Sequence, residues 1–198
     1  MVAAMEAIAA QERRPAPADA FRLARAKFMA GERLDMQALA AELGVNRATL
    51  YRWVGSKELL LGEVISALSL AALKRARAEI KGSGPEYVAA VVQRVLEGIR
   101  TFEPMQKFLA RDAQYALRVL TSMESTVQVR SVEGIRELLQ EQVDKGALDT
   151  PADLGDLAYV IIRIGESFLY SDVIIGSEPD AKKAGQMVRL LLGDHGGG

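Results

Sequence analysis

Four prolines constrain this chain more than any other feature. Pro85, Pro104, Pro151 and Pro179 each stand at the head of a segment whose apolar residues recur with helical spacing. Proline is tolerated in the first turn of a helix, where its missing N–H would have had no partner, and it breaks a helix further in. After Pro85, the residues Val88, Val91, Val92, Val95, Ile99 and Phe102 follow i, i+3, i+4, i+7 spacing. Thr150-Pro151-Ala152-Asp153 reads as an N-cap, a proline at N1 and an acid at N3. No segment alternates with the period of two that a strand needs, no Asn-Gly or Asp-Gly pair marks a hairpin, and there is no internal repeat. The chain is predicted to be all-α. About nine helices are expected, over 18–30, 36–43, 47–53, 57–80, 85–101, 104–120, 124–145, 151–176 and 180–193.

Composition removes whole classes of chemistry. The 198 residues include no Cys and one His, His195, which sits in a Gly-rich C-terminal tail. Zinc fingers, Fe–S clusters, cysteine nucleophiles and multi-His metal sites therefore have no ligands. No catalytic residue, metal ligand or cofactor is assigned. The length suffices to bury a core without disulfides. The longest uncharged apolar run, Val64 to Leu73, is too short to span a bilayer. The apolar stretch Met1–Ala10 is interrupted by Glu6 and followed, not preceded, by Arg13 and Arg14, so it fails as a signal peptide. The expectation is a cytoplasmic protein without membrane contact, with a disordered tail over 1–17 and a flexible one over 194–198.

The net charge of −1 conceals an asymmetry. Residues 1–57 hold nine Lys/Arg against six Asp/Glu, whereas 58–198 hold 16 against 20. A basic quarter on an acidic remainder points to one module that faces a polyanion and another that does not.

Within the basic quarter, residues 35–54 have helix-turn-helix spacing, with three residues between Ala40 and Gly44 and five between Gly44 and Leu50. Ala40 lets two helix backbones cross closely, Gly44 supplies a positive φ after the first helix, and Leu50 plugs the shared core. Asp35 caps the first helix. Asn46, the only Asn in the chain, stands where the second needs its cap. The second helix then presents Arg47, Ala48, Tyr51 and Arg52 outward, with Leu50 and Val54 inward. Arg47 and Lys57 fall in the first turns of successive helices, where cations oppose the macrodipole by roughly 0.3–1 kcal/mol each. Phosphates arriving at both helix N-termini would account for them. The candidate DNA-binding set is Asn46, Arg47, Ala48, Thr49, Tyr51, Arg52, Trp53 and Lys57. Arg47, Tyr51 and Trp53 are assigned to base edges, and Thr49, Arg52 and Lys57 to phosphates.

The run LAAELGVNRATLYRWVGSKELLLGEVI, preceded by Phe28-Met29-Ala30-Gly31, resembles the DNA-binding domain of the TetR family of bacterial transcriptional regulators. Its marks are Gly44-Val45, Thr49-Leu50-Tyr51 and Ser56-Lys57-Glu58. Asn46 and Trp53-Val54 depart from the family pattern, in which a Ser and a His-Phe pair are commoner. The segment IRIGESFLYSDVIIGSEPDAKKA resembles the QsdR-like subgroup, regulators of quorum-quenching lactonase operons. The resemblance implies a helix-turn-helix domain over 18–57, a ligand-binding and dimerisation domain over 58–193, and a homodimer on a palindromic double-stranded DNA operator. It also implies a four-helix interface from the last two long helices of each subunit.

The residues themselves support that assembly. Segment 151–176 is apolar on most sides through Leu154, Leu157, Ile161, Ile164, Phe168, Val173, Ile174 and Ile175, and Ile161 is the position expected to probe the interface. Arg163, Glu166, Ser167 and Tyr170 form a polar stripe on the same segment, readable either as a ligand's polar contacts or as a hydrogen-bonded seam. The candidate ligand set adds Phe102, Met105, Phe108, Tyr115, Arg118 and Met123. Without a Lys or His cluster there, the expected inducer is a mostly apolar molecule with a compact polar end, and the subgroup resemblance points to a lactone or acyl compound. The expected function is a ligand-released repressor. The alternatives are an activator or inducer-less regulator of the same fold and, remotely, a small α-helical enzyme working through Glu166 with Tyr170 or Arg163.

Overall fold

The computed structural model describes residues 14–122 and 125–193. Met123, His195 and the tail segments 1–13 and 194–198 lie outside them. Every regular element among the described residues is a helix: α1 (Pro17–Met29), α2 (Met36–Glu42), α3 (Arg47–Val54), α4 (Lys57–Glu79), α5 (Gly84–Arg100), α6 (Glu103–Arg111), α7 (Ala113–Thr121), α8 (Thr126–Asp144), α9 (Leu154–Leu169), α10 (Ser171–Ile175) and α11 (Ala181–Leu192). None of them is long and apolar enough to cross a membrane. The chain divides into two compact units between Leu61 and Gly62, inside α4.

Among the described residues there are eleven helices rather than nine because two of the expected segments break. The segment 104–120 is interrupted at Asp112, whose extended backbone lets its carboxylate accept the Tyr115 N–H at 3.0 Å and cap α7. The segment 151–176 stops at Tyr170. There the Ser171 hydroxyl donates to the Phe168 carbonyl at 3.2 Å or the Ser177 carbonyl at 3.1 Å, and a short α10 follows. Pro151 is not at N1. Asp153 caps α9 instead, accepting the N–H of Gly155 at 2.8 Å and of Asp156 at 3.0 Å. Thr150 accepts only the Ala152 N–H, at 3.2 Å. A carboxylate at a helix N-terminus outcompetes a hydroxyl because its charge also meets the dipole.

In the first unit, Ala20, Ala24 and Phe28 of α1 close over Leu39 and Ala40 of α2 and Leu50 of α3, all buried. In the second, α5 buries Val88, Val91 and Val92, as its spacing predicts, together with Leu96, while Val95 and Ile99 are half-buried and Phe102 falls beyond the helix. Helix α11 packs on α5 and α9, and α9 packs on α8. The core runs through Ile135, Leu138 and Leu139 of α8 to Leu157, Ala158 and Ile161 of α9 and Val188 of α11. Gly134 lets α4 and α8 approach, since a Cβ there would stand 3.0 Å from Leu73 Cδ2 and 3.2 Å from Leu70 Cδ2. The buried Gln142 accepts the first N–H of α5, from Gly84, at 3.1 Å.

Candidate functional site

Two features stand out, one in each unit. In the first, the turn between α2 and α3 is built as its residue types dictate. Asp35 accepts the Gln37 and Ala38 N–H groups, each at 2.8 Å. Gly44 takes φ +68°, the left-handed conformation that side chains disfavour. Asn46 accepts the Thr49 N–H at 2.7 Å, so its amide oxygen is occupied in starting α3 and only its NH2 faces outward chemistry. With Leu50 wholly buried, α3 turns Arg47, Ala48, Tyr51 and Arg52 to solvent, while Thr49, Trp53 and Lys57 are half-buried. The Arg47 guanidinium lies 5.8 Å over the Tyr51 ring, a cation–π contact that aims the cation along the exposed face. Ser56 caps α4 by accepting the Leu59 N–H at 3.0 Å.

Lys57 has an acidic neighbour that spacing alone does not disclose. The Ala38 N–H chiefly, with the Gln37 N–H and then the cations of Lys57 and Arg33, holds the Asp35 carboxyl below its ordinary range. A phosphate at Lys57 would therefore compete with Asp35. Lys57→Ala should weaken DNA binding about equally on all sequences and lower the salt slope by about one counterion. Fluorescence anisotropy across a salt series checks it.

In the second unit, six helices and Tyr170 surround a cavity of about 100 Å³. Ile65, Ser69, Leu70 and Leu73 of α4 form one wall, and Val92, Val95, Leu96 and Ile99 of α5 another. Met105, Leu120, Val127, Ser131 and Ile135 follow from α6, α7 and α8. Ile161, Ile162, Gly165, Glu166 and Leu169 of α9 complete it. Among the described residues, Glu166 is the one charged residue in the lining. Its Oε2 accepts from Arg163 Nη1 at 2.7 Å, and the same Nη1 reaches the Thr121 carbonyl at 3.4 Å. Burial outweighs that cation and pushes the Glu166 carboxyl up to about 7. Burial, and then the neighbouring Glu166, pushes the Tyr170 hydroxyl up as well. The hydroxyls of Ser69, Ser131 and Tyr170 have no hydrogen-bond partner among the described residues.

The cavity takes in only part of the ligand set read from the sequence. Met105, Glu166 and Tyr170 line it. Phe102, Phe108, Tyr115, Arg118, Arg163 and Ser167 do not. Phe108 and Tyr115 meet edge to face at 6.1 Å, and the Arg118 guanidinium stands 5.7 Å over the Tyr115 ring, a cluster between α6 and α7. The polar stripe divides. Glu166 and Tyr170 turn inward, whereas Arg163 and Ser167 are exposed, and the Ser167 hydroxyl donates to the Arg163 carbonyl at 2.8 Å. A helix rotates about 100° per residue, so Arg163 and Ser167, four apart, share the solvent side, Glu166 and Tyr170 share the wall, and adjacent Glu166 and Ser167 fall on opposite sides.

Residues 83–193 match the family described as tetracyclin repressor-like, C-terminal domain, which is more than half of the chain. The chain belongs to the TetR family. Among solved structures, the R. erythropolis transcriptional repressor QsdR from the TetR family is similar at 31% identity and a TM-score of 0.85, over 89% of this chain and 93% of that one. The TetR-family transcriptional regulator PfmR from Thermus thermophilus is 22% identical over 87% and 92%, but its TM-score of 0.37 is too low to bear on the fold. No curated protein matches the chain. As a TetR-family member it is a DNA-binding transcriptional regulator.

The regulator's cavity makes a pH prediction. Between the ordinary carboxyl value of 4.5 and its own value of about 7, Glu166 binds more protons in the folded state than in the unfolded one. Its contribution to stability therefore falls as pH rises through that window. Glu166→Gln should be more stable than the unsubstituted TetR-family regulator near pH 8, and that advantage should shrink by about pH 5. Urea unfolding at the two pH values measures it.

Proposed function

We propose that this TetR-family regulator is a homodimeric repressor whose grip on a palindromic operator is released by a small, mostly apolar ligand in the cavity of the second unit. One observation carries the reading. Helix α4 begins three residues after the recognition helix α3 ends, and it contributes Ile65, Ser69, Leu70 and Leu73 to the cavity wall. A ligand that displaces this wall acts on the same helix, in sequence, that carries Lys57 and follows Arg47. Operator binding needs two recognition helices about 34–36 Å apart in successive major grooves, a spacing that small helix movements can spoil.

The dimer is assigned to the outward faces of α9 and α11. Tyr159 and Val160 are 40% exposed and Leu190 is 61% exposed, a large apolar surface for helices packed on a core. The described repressor activity of QsdR supports the sign of regulation. The C-terminal resemblance favours a lactone or acyl compound as inducer. The test is a gel shift on the DNA upstream of the regulator's own gene, with and without such compounds. A specific complex that dissolves on addition supports the proposal. A complex insensitive to every compound that fills the cavity removes the inducer role and leaves a regulator without one.

A further inference from the structure

We infer that the cavity selects an uncharged carbonyl compound over a carboxylate of the same shape, with Glu166 as the residue that discriminates. This rests on reading the cavity as the effector site. The wall is apolar apart from Glu166, Tyr170, Ser69 and Ser131. No cation lines it among the described residues: Arg163, one turn from Glu166, is 45% exposed by side chain and already pairs with Glu166 at 2.7 Å. An anion entering would have no counter-charge of its own and would meet a second carboxylate. Two like charges on one apolar wall disfavour each other, so the ligand or Glu166 must be protonated, and above about pH 7, where Glu166 itself ionises, that proton becomes progressively costlier.

A neutral carbonyl group faces none of this. Its oxygen can accept from the Tyr170 hydroxyl, which is buried and has no partner among the described residues. Glu166 serves it in either form, donating to a carbonyl when protonated and accepting from an N–H or O–H when ionised. The hydroxyls of Ser69 and Ser131, also without partners among the described residues, add donors and acceptors but no charge. An ammonium would be drawn to Glu166, but it would lose its water to a carboxylate whose charge Arg163 already balances.

Pentanamide, pentanoate and pentylammonium test the inference. An apolar cavity of ~150 Å³ holds the six carbons of benzene, so one of about 100 Å³ takes about four, the butyl tail that the three compounds share. Calorimetric titration of the protein at about pH 8.5, where Glu166 is ionised, should find pentanamide binding at least about tenfold tighter than pentanoate. Glu166→Gln should narrow the gap to about threefold or less by admitting the carboxylate. Ile162→Trp, which fills the cavity, should abolish amide binding.

Pentanoate or pentylammonium binding as tightly as pentanamide to the unsubstituted protein overturns the inference, whether or not Glu166→Gln folds. So does a gap that Glu166→Gln leaves unchanged. If none of the three compounds binds, the cavity is no ligand site, and both this inference and the inducer role fall. Discrimination as expected with operator binding unaffected upholds the inference and sinks only the inducer role.

Discussion

Val160→Asp should leave the subunit folded, split the dimer, and lower operator affinity by about a hundredfold or more, because a lone head loses the avidity of two. Val160 is 40% exposed on the outer face of α9, so a carboxylate there is hydrated in the monomer and buried only where a second copy covers it. Leu190→Asp on α11 should act alike. Ile161 is a different case. It is wholly buried and lines the cavity, so Ile161→Asp should destabilise the subunit by roughly 3–5 kcal/mol rather than report on assembly. Its place in the apolar segment suggested an interface, but one residue of helix, about 100°, separates the core from the outer face. Sedimentation and circular dichroism on the pair separate the outcomes. An intact dimer of Val160→Asp and Leu190→Asp would move the interface off these helices.

Arg47→Ala should cost about 1–3 kcal/mol per head, so at least about thirtyfold for a dimer, and should relax preference at particular operator positions. Arg47 occupies the first turn of α3, exposed and stacked on Tyr51, and we propose that from there its guanidinium reads a base edge in the major groove. Its effect should differ in kind from that of Lys57→Ala, which weakens every sequence alike. Binding measured on a set of single-base operator variants distinguishes the two. If Arg47→Ala weakens all variants by one factor, Arg47 holds phosphate and the base-reading role passes to Tyr51 and Arg52. Trp53 is the weaker candidate for that role, since most of its surface is covered.

What could be read from residue order alone was what physics decides within one or two turns. The caps at Asp35 and Asn46 are contacts across two or three residues, and the turn at Gly44 needs only its own φ. The buried stripe of α5 follows from its period. Those local rules were enough for an all-helical chain with a recognition helix whose exposed face holds Arg47, Ala48, Tyr51 and Arg52. They misplaced the start of α9, where Asp153 won the cap from Thr150, and ran past Asp112, which caps α7 through the Tyr115 N–H, and Tyr170, beyond which the Ser171 hydroxyl reaches the Phe168 or Ser177 carbonyl. The cavity belongs wholly to tertiary structure. Its walls come from six helices spread over Ile65 to Leu169, and no local period says which side of α4 or α8 will meet α9. Packing decided that Glu166 and Tyr170 turn inward while Arg163 and Ser167 face water, because burial is set by what lies opposite a helix face, not by the residues on it.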